Sequence, residues 1–417
     1  MMMTNTRSDR ILALLADQKS GWSLARPFYL DADLFDVERE KWFSAQWMVV
    51  GHRSEVPRKG SHIVRQLFDC SIIIVNAGDA GLRAYHNVCT HRGSQICKQD
   101  GQAPLLVCPY HAWSFRLSGE LQTTRELPEG VDPSELGLRP VPLKEVGGLI
   151  LCGLDEARLP DVAPVEEALL PALRLHGIDR ARIAVRRHYP TLANWKLVLE
   201  NFFECYHCRP SHPEYFSMNG HVKVTAMRDE QGAQDWQATV ADWNQSLKDG
   251  VRLAQVRDPG SITTLKHSVY RQPIGLDRRT HSKSGQPVAP LMGLFDDYDG
   301  GETGMHVGRL SFVGGYNDHA VIFQFNPVSV QETDVIVTWL VDQDADLSTI
   351  DIDALTFLWD VTTVQDKKII EANAAGVRSP AYRPGPYTVL EEQTANFVAD
   401  YMAVMRGLLT EEPVMQG

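Results

Sequence analysis

Two short segments of the chain combine cysteine and histidine at a spacing that suits a metal centre. The first, CTHRG at Cys89 to Gly93, contains a C-x-H pair, and the second, CPYHAW at Cys108 to Trp113, contains a C-x-x-H pair. Sixteen residues separate the two pairs. Two thiolates and two imidazoles can bind either Zn²⁺ or a [2Fe–2S] cluster, in which the cysteines hold one iron and the histidines the other. The four candidate ligands are Cys89, His91, Cys108 and His111.

The narrow spacing of the first pair favours the cluster over zinc. Zinc ribbons and fingers usually place two to four residues between the ligands of a pair, whereas a single residue separates Cys89 from His91. Cys97 lies between the two segments but matches no ligand position, so we expect it to be structural. Two neutral imidazoles in place of thiolates raise the reduction potential of a cluster, which suits an electron carrier.

A second candidate centre lies in the segment ENFFECYHCRPSHPE, Glu200 to Glu214, which contains two histidines and two cysteines. If a helix runs from Asn194 to near Cys208, Glu204 and His207 lie on one face of it. The proline that follows then ends the helix, and the turn brings His212 back beside His207. No further cysteine lies nearby to complete a thiolate site, so we interpret the C-x-x-C as uninvolved in metal binding. Two histidines and one carboxylate form the facial triad of non-haem Fe(II), which leaves positions open for O₂.

The pattern of apolar and turn-forming residues predicts an α+β protein. Short strand-like runs separated by Gly, Asp and Pro predict a small all-β domain over residues 42–155. Residues 156–417 are predicted to form a catalytic domain of antiparallel sheet flanked by helices. Residues 1–41 are expected to form a helical arm that packs on this domain.

Three segments of the larger domain can be assigned in more detail. Gly308 to Asp342 is predicted to be an antiparallel meander. Two helices are predicted near the end of the chain, at Asp351 to Ala375 and Thr388 to Leu409. Gly275 to Gly304, which is rich in Gly, Asp and Ser, is predicted to be a long loop.

Composition narrows the class of partner and the location. A formal net charge of −12, without a clustered basic face, disfavours binding to nucleic acid. No apolar run is long enough for a signal peptide or a membrane span, so we expect a cytoplasmic protein without a membrane partner. Seven cysteines, an odd number, favour free thiols or metal ligands over a disulfide framework.

Over nearly its whole length, the chain resembles the catalytic α subunit of Rieske non-haem iron oxygenases. CTHRG and CPYHAW look like the cluster-binding loops of Rieske proteins. Those loops usually also contain residues equivalent to Arg92, Gly93 and Trp113. NWKLVLENFFECYHCRPSH looks like the mononuclear iron motif of that family. The resemblance implies a Rieske [2Fe–2S] cluster and a mononuclear Fe(II) that is bound by His207 and His212.

The same resemblance assigns two carboxylates. Glu204 falls on the residue that bridges, by hydrogen bonds, an iron-ligating histidine of one subunit and a cluster histidine of its neighbour; most members have Asp there. The family's acidic pair falls in TVQDKKIIEANAAG, with Asp366 as the third iron ligand and Gln365 where Glu is common. Asp360 competes for the ligand role, but it lies about 240° from Asp366 round a helix, so both cannot face the iron.

Glu204 and the sequence ECYHC are similar to the branch of the family that oxidises quaternary ammonium compounds. The resemblance implies that O₂ is used to hydroxylate an N-methyl group of a betaine-like substrate, giving N-demethylation and formaldehyde. An aromatic-ring hydroxylase is the alternative within the family. Outside it, the alternatives are a zinc-stabilised binding protein without catalysis and a simple electron carrier, which would need only the β domain.

Electrons must come from a separate protein, because the chain has no G-x-G-x-x-G fingerprint after a strand. The resemblance implies an NAD(P)H reductase with flavin and an iron–sulfur centre, and a homotrimer in which electrons cross between subunits. A quaternary nitrogen has no N–H to donate, so its recognition requires aromatic faces and negative potential. The candidate aromatic residues, among which the sequence selects no cage, are Phe203, Tyr206, Phe312, Tyr316, Phe323, Phe325 and Trp339.

Overall fold

The computed structural model describes residues 7–225, 230–261, 264–275 and 278–410, with the backbone alone over 220–225. The described chain begins with three helices and a π-helical turn: α1 (Arg7–Asp17), α2 (Pro27–Leu30), α3 (Ala32–Val37) and the turn Glu38–Phe43. Asp31 caps α3, because its side chain accepts a hydrogen bond from the Leu34 backbone N–H at 3.1 Å. Both α1 and the π-helical turn contact the C-terminal helix, so this arm lies against the last helix of the chain.

A charged pair with no solvent exposure fixes the arm to the catalytic region. Glu38 and Lys196 are both fully buried, and Lys196 Nζ lies 2.6 Å from Glu38 Oε1. The second carboxylate oxygen of Glu38 accepts a hydrogen bond from Trp195 Nε1 at 2.9 Å. Buried charges require partners of this kind, because an unpaired ion in the interior is very costly.

Residues 42–155, which are predicted to form a small all-β domain, consist mainly of β-strands and loops. Ten strands form three antiparallel sheets, in the orders β1-β10-β9, β4-β3-β2-β5 and β6-β7-β8. The strands are β1 (Met48–His52), β2 (Ser61–Leu67), β3 (Cys70–Asn76), β4 (Leu82–His86), β5 (Gly101–Gln102), β6 (Leu106–Val107), β7 (Ser114–Phe115), β8 (Leu121–Thr123), β9 (Leu143–Val146) and β10 (Leu149–Cys152).

Strand β3 connects two hydrophobic cores. Ile73 and Val75 pack in the core beneath the predicted cluster loops, whereas Ile72 and Ile74 face the opposite way into the main core of the molecule. Successive side chains of a strand point to opposite faces, so a run of β-branched residues can be buried on both sides. The strand therefore ties the cluster loops to the rest of the chain.

The catalytic region contains a seven-stranded antiparallel sheet of order β11-β17-β16-β15-β14-β13-β12. Its strands are β11 (Arg182–Thr191), β12 (Val256–Asp258), β13 (His267–Pro273), β14 (Gly301–Val307), β15 (Ser311–Gly315), β16 (Ala320–Ser329) and β17 (Glu332–Val341). The meander predicted for Gly308 to Asp342 is confirmed, since it comprises β15, β16 and β17.

The predicted loop at Gly275 to Gly304 is wrong at its C-terminal end, because β14 begins at Gly301. Gly304 is a strand residue that pairs with Tyr270 of β13, and a Cβ there would lie 2.2 Å from the Tyr270 ring. The glycine that indicated a loop instead lets a neighbouring ring lie on the backbone, which is a common reason for glycine inside a strand.

Seven helices complete the described catalytic region: α4 (Ala163–Leu175), α5 (Trp195–Phe202), α6 (Cys208–Ser211), α7 (Pro213–Thr225), α8 (Glu230–Ser246), α9 (Ile352–Arg378) and α10 (Glu392–Thr410). The two helices predicted near the C-terminus are confirmed as α9 and α10, with ends that differ by a few residues. Within the described ranges, no helix combines the length and the apolar character needed to cross a membrane.

The two faces of the large sheet pack on different helices. Alternate residues such as Ile322 and Leu340 pack in one core with α4. Phe323 and Val337, which lie one and three positions from those residues on the same strands, pack on the other face with residues of α5, α9 and α10. The second face carries the candidate active site, since α5 leads into the histidine segment and α9 carries Asp366.

Candidate metal centres and active site

The two segments predicted to hold a cluster form a matched pair of loops. In each loop, the backbone N–H of the cysteine donates to a carbonyl five residues on, that of Ser94 or Trp113, at 2.8 Å. The N–H four residues after the cysteine donates back to the cysteine carbonyl, from Gly93 at 2.9 Å and from Ala112 at 3.0 Å. Gly93 and Ala112 have φ of 76° and 61°. A non-glycine residue rarely adopts this conformation, so the Ala112 turn is held by its surroundings.

The candidate cluster ligands lie together between these loops. Cys89 and Cys108 are each 2% exposed, and their thiols lie close enough to shift one another's pKa. Burial opposes ionisation of Cys108, but the Tyr110 backbone N–H and the Cys89 thiol lower its pKa. The centroids of the His91 and His111 rings are 4.8 Å apart. Nδ1 of His111 is buried and has no hydrogen-bond partner among the described residues, which fits an imidazole nitrogen reserved for a metal.

Aromatic rings support both histidines at the surface of the β region. The His91 ring stacks on Trp113 with centroids 4.6 Å apart, and the His111 ring stacks on Tyr110 at 3.9 Å. Tyr110 itself is 56% exposed. The histidine side of the loops therefore faces outwards, where a partner can approach it.

Three side chains from distant parts of the chain meet at the second candidate centre. His207 Nε2 lies 3.2 Å from Asp366 Oδ1, and His212 Nε2 lies 3.0 Å from the same oxygen. The two imidazole rings are 5.0 Å apart and almost perpendicular, at 80°. His212 is 1% exposed, so the site is deep in the molecule. Two imidazole nitrogens and a carboxylate oxygen that lie this close together suit a single Fe(II).

The competing carboxylate, Asp360, is directed elsewhere. Its Oδ1 lies 2.8 Å from Arg187 Nη1 and accepts a hydrogen bond from the Tyr189 hydroxyl, both on β11. The structure thus brings Asp366 to the histidines and takes Asp360 to the sheet edge. This matches the expectation that the two aspartates point to different sides of one helix.

Each histidine is also held at its other ring nitrogen. Glu204 accepts a hydrogen bond from His207 Nδ1, and its Oε2 accepts one from the His207 backbone N–H at 3.2 Å. His212 Nδ1 lies 2.9 Å from Gln365 Oε1, and Gln365 Nε2 donates to Glu214 Oε2 at 2.7 Å. Partners of this kind fix the tautomer and the orientation of ligating histidines. Gln365, which stands where Glu is common in the family, therefore has hydrogen-bond partners in this chain.

The negative charge around the imidazoles suits a cation. Although burial opposes protonation of His207, its contacts with Asp366 and Glu204 raise its pKa to about 9. Burial likewise opposes charge on Asp366, but hydrogen bonds with His207 and His212 lower the pKa of that carboxyl.

The helix predicted to run to near Cys208 is wrong in its length. α5 ends at Phe202, the chain turns through Glu204, and a short helix, α6, begins at Cys208. The Glu204 carboxylate accepts from the backbone N–H groups of Tyr206 and His207, so it stabilises the turn in competition with the helix. Glu204 and His207 are still in contact, although through this turn and not along one helix face.

Cys205 and Cys208 are joined by a disulfide. The expectation that the cysteines are thiols or metal ligands is wrong for this pair, whereas the other five are free. Because the helix stops early, the turn brings the two Cα atoms to 4.8 Å. Cys208 lies within 4.8 Å of the candidate donor atoms of His207 and His212. Its sulfur is bonded to Cys205, however, so we take Asp366 as the third member of the group.

The predicted aromatic candidates have different surroundings. Trp339 is fully buried, and Tyr206 is 54% exposed. Four others, Phe203, Phe312, Phe323 and Phe325, pack round Phe202 with ring centroids 4.7 to 5.9 Å from it. Two of the seven contact a ring that leads to the metal site: the Tyr316 hydroxyl accepts from Trp359 Nε1 at 3.0 Å, and the Phe323 ring lies 5.2 Å from the Trp359 ring.

Sequence reasoning missed two rings close to the histidines. The Tyr215 ring lies 6.5 Å from the His212 ring and 5.8 Å from the Trp359 ring. A signal was present for both. Tyr215 follows His212 by three residues, and Trp359 precedes Asp366 by seven residues on α9, a spacing that returns to the same helix face.

Two family models match the chain. Residues 46–141 match the Rieske [2Fe-2S] domain, and residues 178–407 match the catalytic domain of the ring hydroxylating alpha subunit. The chain belongs to the Rieske non-haem iron oxygenase family. A Rieske [2Fe–2S] cluster and a mononuclear iron are accordingly the cofactors of this oxygenase, and the fold predicted from the sequence is confirmed.

Relatives and solved structures extend this result. The glycine betaine monooxygenase oxygenase subunit of Pseudomonas aeruginosa (strain PAO1) is 32% identical over 406 residues, which are 96% of this chain and 92% of the relative. The carnitine monooxygenase oxygenase subunit of Escherichia coli (strain K12) is 34% identical over 224 residues, 51% of this chain and 59% of the relative.

The fold is shared with oxygenases that have different names. The quaternary ammonium Rieske monooxygenase CntA in complex with L-carnitine gives a TM-score of 0.64 at 21% identity, covering 93% of this chain and 97% of that one. Naphthalene 1,2-dioxygenase from Rhodococcus sp. gives 0.65 at 19% identity, covering 99% and 100%. The likeness of fold therefore does not separate a quaternary amine from an arene as substrate.

Proposed function

We propose that this oxygenase hydroxylates an N-methyl group of a quaternary ammonium, betaine-like substrate. One oxygen atom of O₂ enters a methyl C–H bond and the other leaves as water, with two electrons and two protons supplied from outside. The N–C bond of the resulting carbinolamine then breaks, releasing formaldehyde, a proton and the demethylated amine. The observation that carries the proposal is the 32% identity with a glycine betaine monooxygenase subunit over 96% of the chain.

In this proposal, seven side chains hold the two cofactors. Cys89 and Cys108 hold one iron of the cluster, and His91 and His111 hold the other. His207, His212 and Asp366 hold the mononuclear iron. When bound, the cluster supplies electrons singly and the mononuclear iron activates O₂. The approach of both imidazole nitrogens to within 3.2 Å of the Asp366 oxygen supports the second assignment.

Glu204 has two tasks in this reaction. It orients His207 through Nδ1, and its carboxylate takes up and passes on a proton as each electron arrives. A cleft of about 360 Å³ borders both Glu204 and His207. Tyr29, Glu200 and Tyr387 form part of its wall. A cluster histidine of a neighbouring copy would reach Glu204 through this cleft, which supports the proposed homotrimer. A separate flavin and iron–sulfur reductase would deliver electrons from NAD(P)H.

The alternative reaction, hydroxylation of an aromatic ring, is distinguished by its product. Oxygenase and a reductase are supplied with NAD(P)H, O₂ and one compound at a time: glycine betaine, carnitine, choline, stachydrine or naphthalene. We expect formaldehyde and matched O₂ consumption with at least one quaternary amine and no hydroxylated arene. Hydroxylated naphthalene without formaldehyde from any amine would overturn the proposal in favour of the ring hydroxylase.

A further inference from the structure

A buried carboxylate lies on the sheet face that adjoins the mononuclear site. Glu302, on β14, is 8% exposed. Its Oε1 accepts a hydrogen bond from Gln272 Nε2 at 2.7 Å, and its Oε2 lies 3.5 Å from His281 Nε2. The next residue along the strand points to the opposite face, where the Thr303 hydroxyl contacts His176 and Arg271. Glu302 thus belongs to the same face as the candidate active site.

Aromatic rings connect Glu302 to the histidines of that site. The His281 ring, beside Glu302, lies 4.5 Å from the Tyr316 ring and 5.6 Å from the Trp359 ring. Trp359 lies 5.8 Å from Tyr215, which lies 6.5 Å from His212. The rings of Tyr215 and Trp359 are only partly buried, so part of each remains accessible.

The charges of two carboxylates act on the Tyr215 hydroxyl. Burial, and then the charges of Glu302 and Asp366, raise the pKa of the Tyr215 hydroxyl. The nearest basic side chain in the adjoining strand, Arg271, is engaged by Asp299 and by Thr303 on the other face of the sheet. The surroundings of Tyr215 and Trp359 therefore combine aromatic rings with the charges of two carboxylates, Glu302 and Asp366.

We propose that the faces of Tyr215 and Trp359 receive the cationic head group of the substrate, with the buried Tyr316 ring supporting Trp359, and that Glu302 determines the preference for a cation. A trimethylammonium group cannot donate a hydrogen bond, so ring faces within about 6 Å and a nearby negative charge are the interactions open to it. The attraction is strong because the carboxylate is buried, where the effective dielectric is low. The inference rests on the proposed function and names the residues of that substrate site.

This arrangement also sets the position of the reacting methyl group. Tyr215 lies beside both the His212 ring and the Trp359 ring, so a head group held against Tyr215 would lie next to a metal ligand. The rest of the substrate would extend away from the triad. Near-attack positioning of this kind is a large part of what a binding site contributes to the rate.

The test compares glycine betaine with 3,3-dimethylbutanoate, an isostere that keeps the carboxylate but has a neutral head group, because carbon replaces the charged nitrogen. Glu302→Gln removes the charge and keeps the shape, and Glu332→Gln, at the start of β17, is the matched control. We expect Glu302→Gln to raise KM for glycine betaine about tenfold with little change in kcat. The inhibition constant of the isostere should stay the same or fall. The control should change neither value.

Equal changes for the cation and its isostere in Glu302→Gln, or an unchanged KM, would overturn the inference. If that variant does not fold, Trp359→Leu serves instead, and it should weaken glycine betaine more than the isostere. Equal weakening of both would again overturn it. Failure of the proposed function is distinguishable, because the wild-type oxygenase would then release no formaldehyde from any quaternary amine.

Discussion

The cluster loops take all four candidate ligands from one continuous stretch, Cys89 to His111, and each loop is closed by its own backbone hydrogen bonds. The mononuclear site instead joins His212 to Asp366, which lies 154 residues further along the chain. Its geometry depends on how α5, α6 and α9 pack on the large sheet. Local hydrogen bonding thus builds one centre, and the packing of the catalytic region builds the other. The two should respond differently to substitutions.

The largest effect is expected at the third ligand. Asp366→Ala should remove mononuclear iron and abolish turnover, while the cluster loops, which share no contact with Asp366, keep their absorbance. Asp360→Ala is the matched control, and it should retain both metals because Asp360 contacts Arg187 and not the histidines. Iron and sulfide analysis with visible spectroscopy measures both. Loss of mononuclear iron in Asp360→Ala, with retention in Asp366→Ala, would reverse the assignment.

Loss of the buried pair Glu38–Lys196 should also affect the two metal centres to different extents. Lys196→Met leaves Glu38 charged and without its 2.6 Å partner, which should lower the free energy of unfolding by about 3–5 kcal/mol. Lys248→Met, which breaks an exposed pair with Asp296 at 2.8 Å, should leave the free energy of unfolding almost unchanged, because water screens exposed charges.

Denaturant titration of each variant gives these two free energies. Mononuclear iron should be lost at lower denaturant in Lys196→Met, since α5 leads directly into the histidine turn. If the two lysine variants were equally stable, the buried pair would not support the site in the way described.

Glu204→Gln tests the proposed bridge between the centres of neighbouring subunits. The amide keeps the size of the side chain but loses the charge that holds His207 Nδ1, so both metals should remain while coupled turnover falls about 100-fold. NAD(P)H oxidation, formaldehyde and peroxide are followed together. Turnover at the wild-type rate would remove Glu204 from the proposed bridge.

Gln365 should give the smallest effect. Gln365→Ala removes the contact with His212 Nδ1 and should weaken iron binding about tenfold. Gln365→Glu can still accept from His212 but cannot donate to Glu214, so it should lie between wild type and the alanine variant. Titration with iron ranks the wild type and the two variants by the strength of iron binding. Weaker binding in Gln365→Glu than in Gln365→Ala would contradict the assigned hydrogen bonds.

The sequence predicted the parts of the site that depend on local spacing. The cysteines and histidines of the cluster loops could be named because short backbone-closed loops leave a fixed pattern. For the third iron ligand, the sequence left Asp366 and Asp360 as alternatives. The choice depends on which side of α9 packs against His212. The early end of α5 was not predictable from its helix-forming residues, because the Glu204 carboxylate stabilises a turn there.

The sheet face next to the proposed substrate site was harder to predict, because its contacts also join residues that are far apart in the chain. Gly304 looked like a loop residue because the ring of Tyr270, which lies on it, is 34 positions away in the chain. Tyr215 and Trp359 lay on predictable faces of their helices, but their contact with each other depends on how α7 meets α9.

The central claim is that locally built cluster loops feed a metal site, built by long-range packing, that oxidises an N-methyl group. A single turnover without reductase tests it most directly. Fully reduced oxygenase is mixed with glycine betaine and O₂, and cluster absorbance and formaldehyde are recorded together. The account predicts that the cluster becomes oxidised as formaldehyde forms, in an amount that approaches the content of mononuclear iron. Oxidation of the cluster with no formaldehyde, in protein that holds both metals, would contradict it.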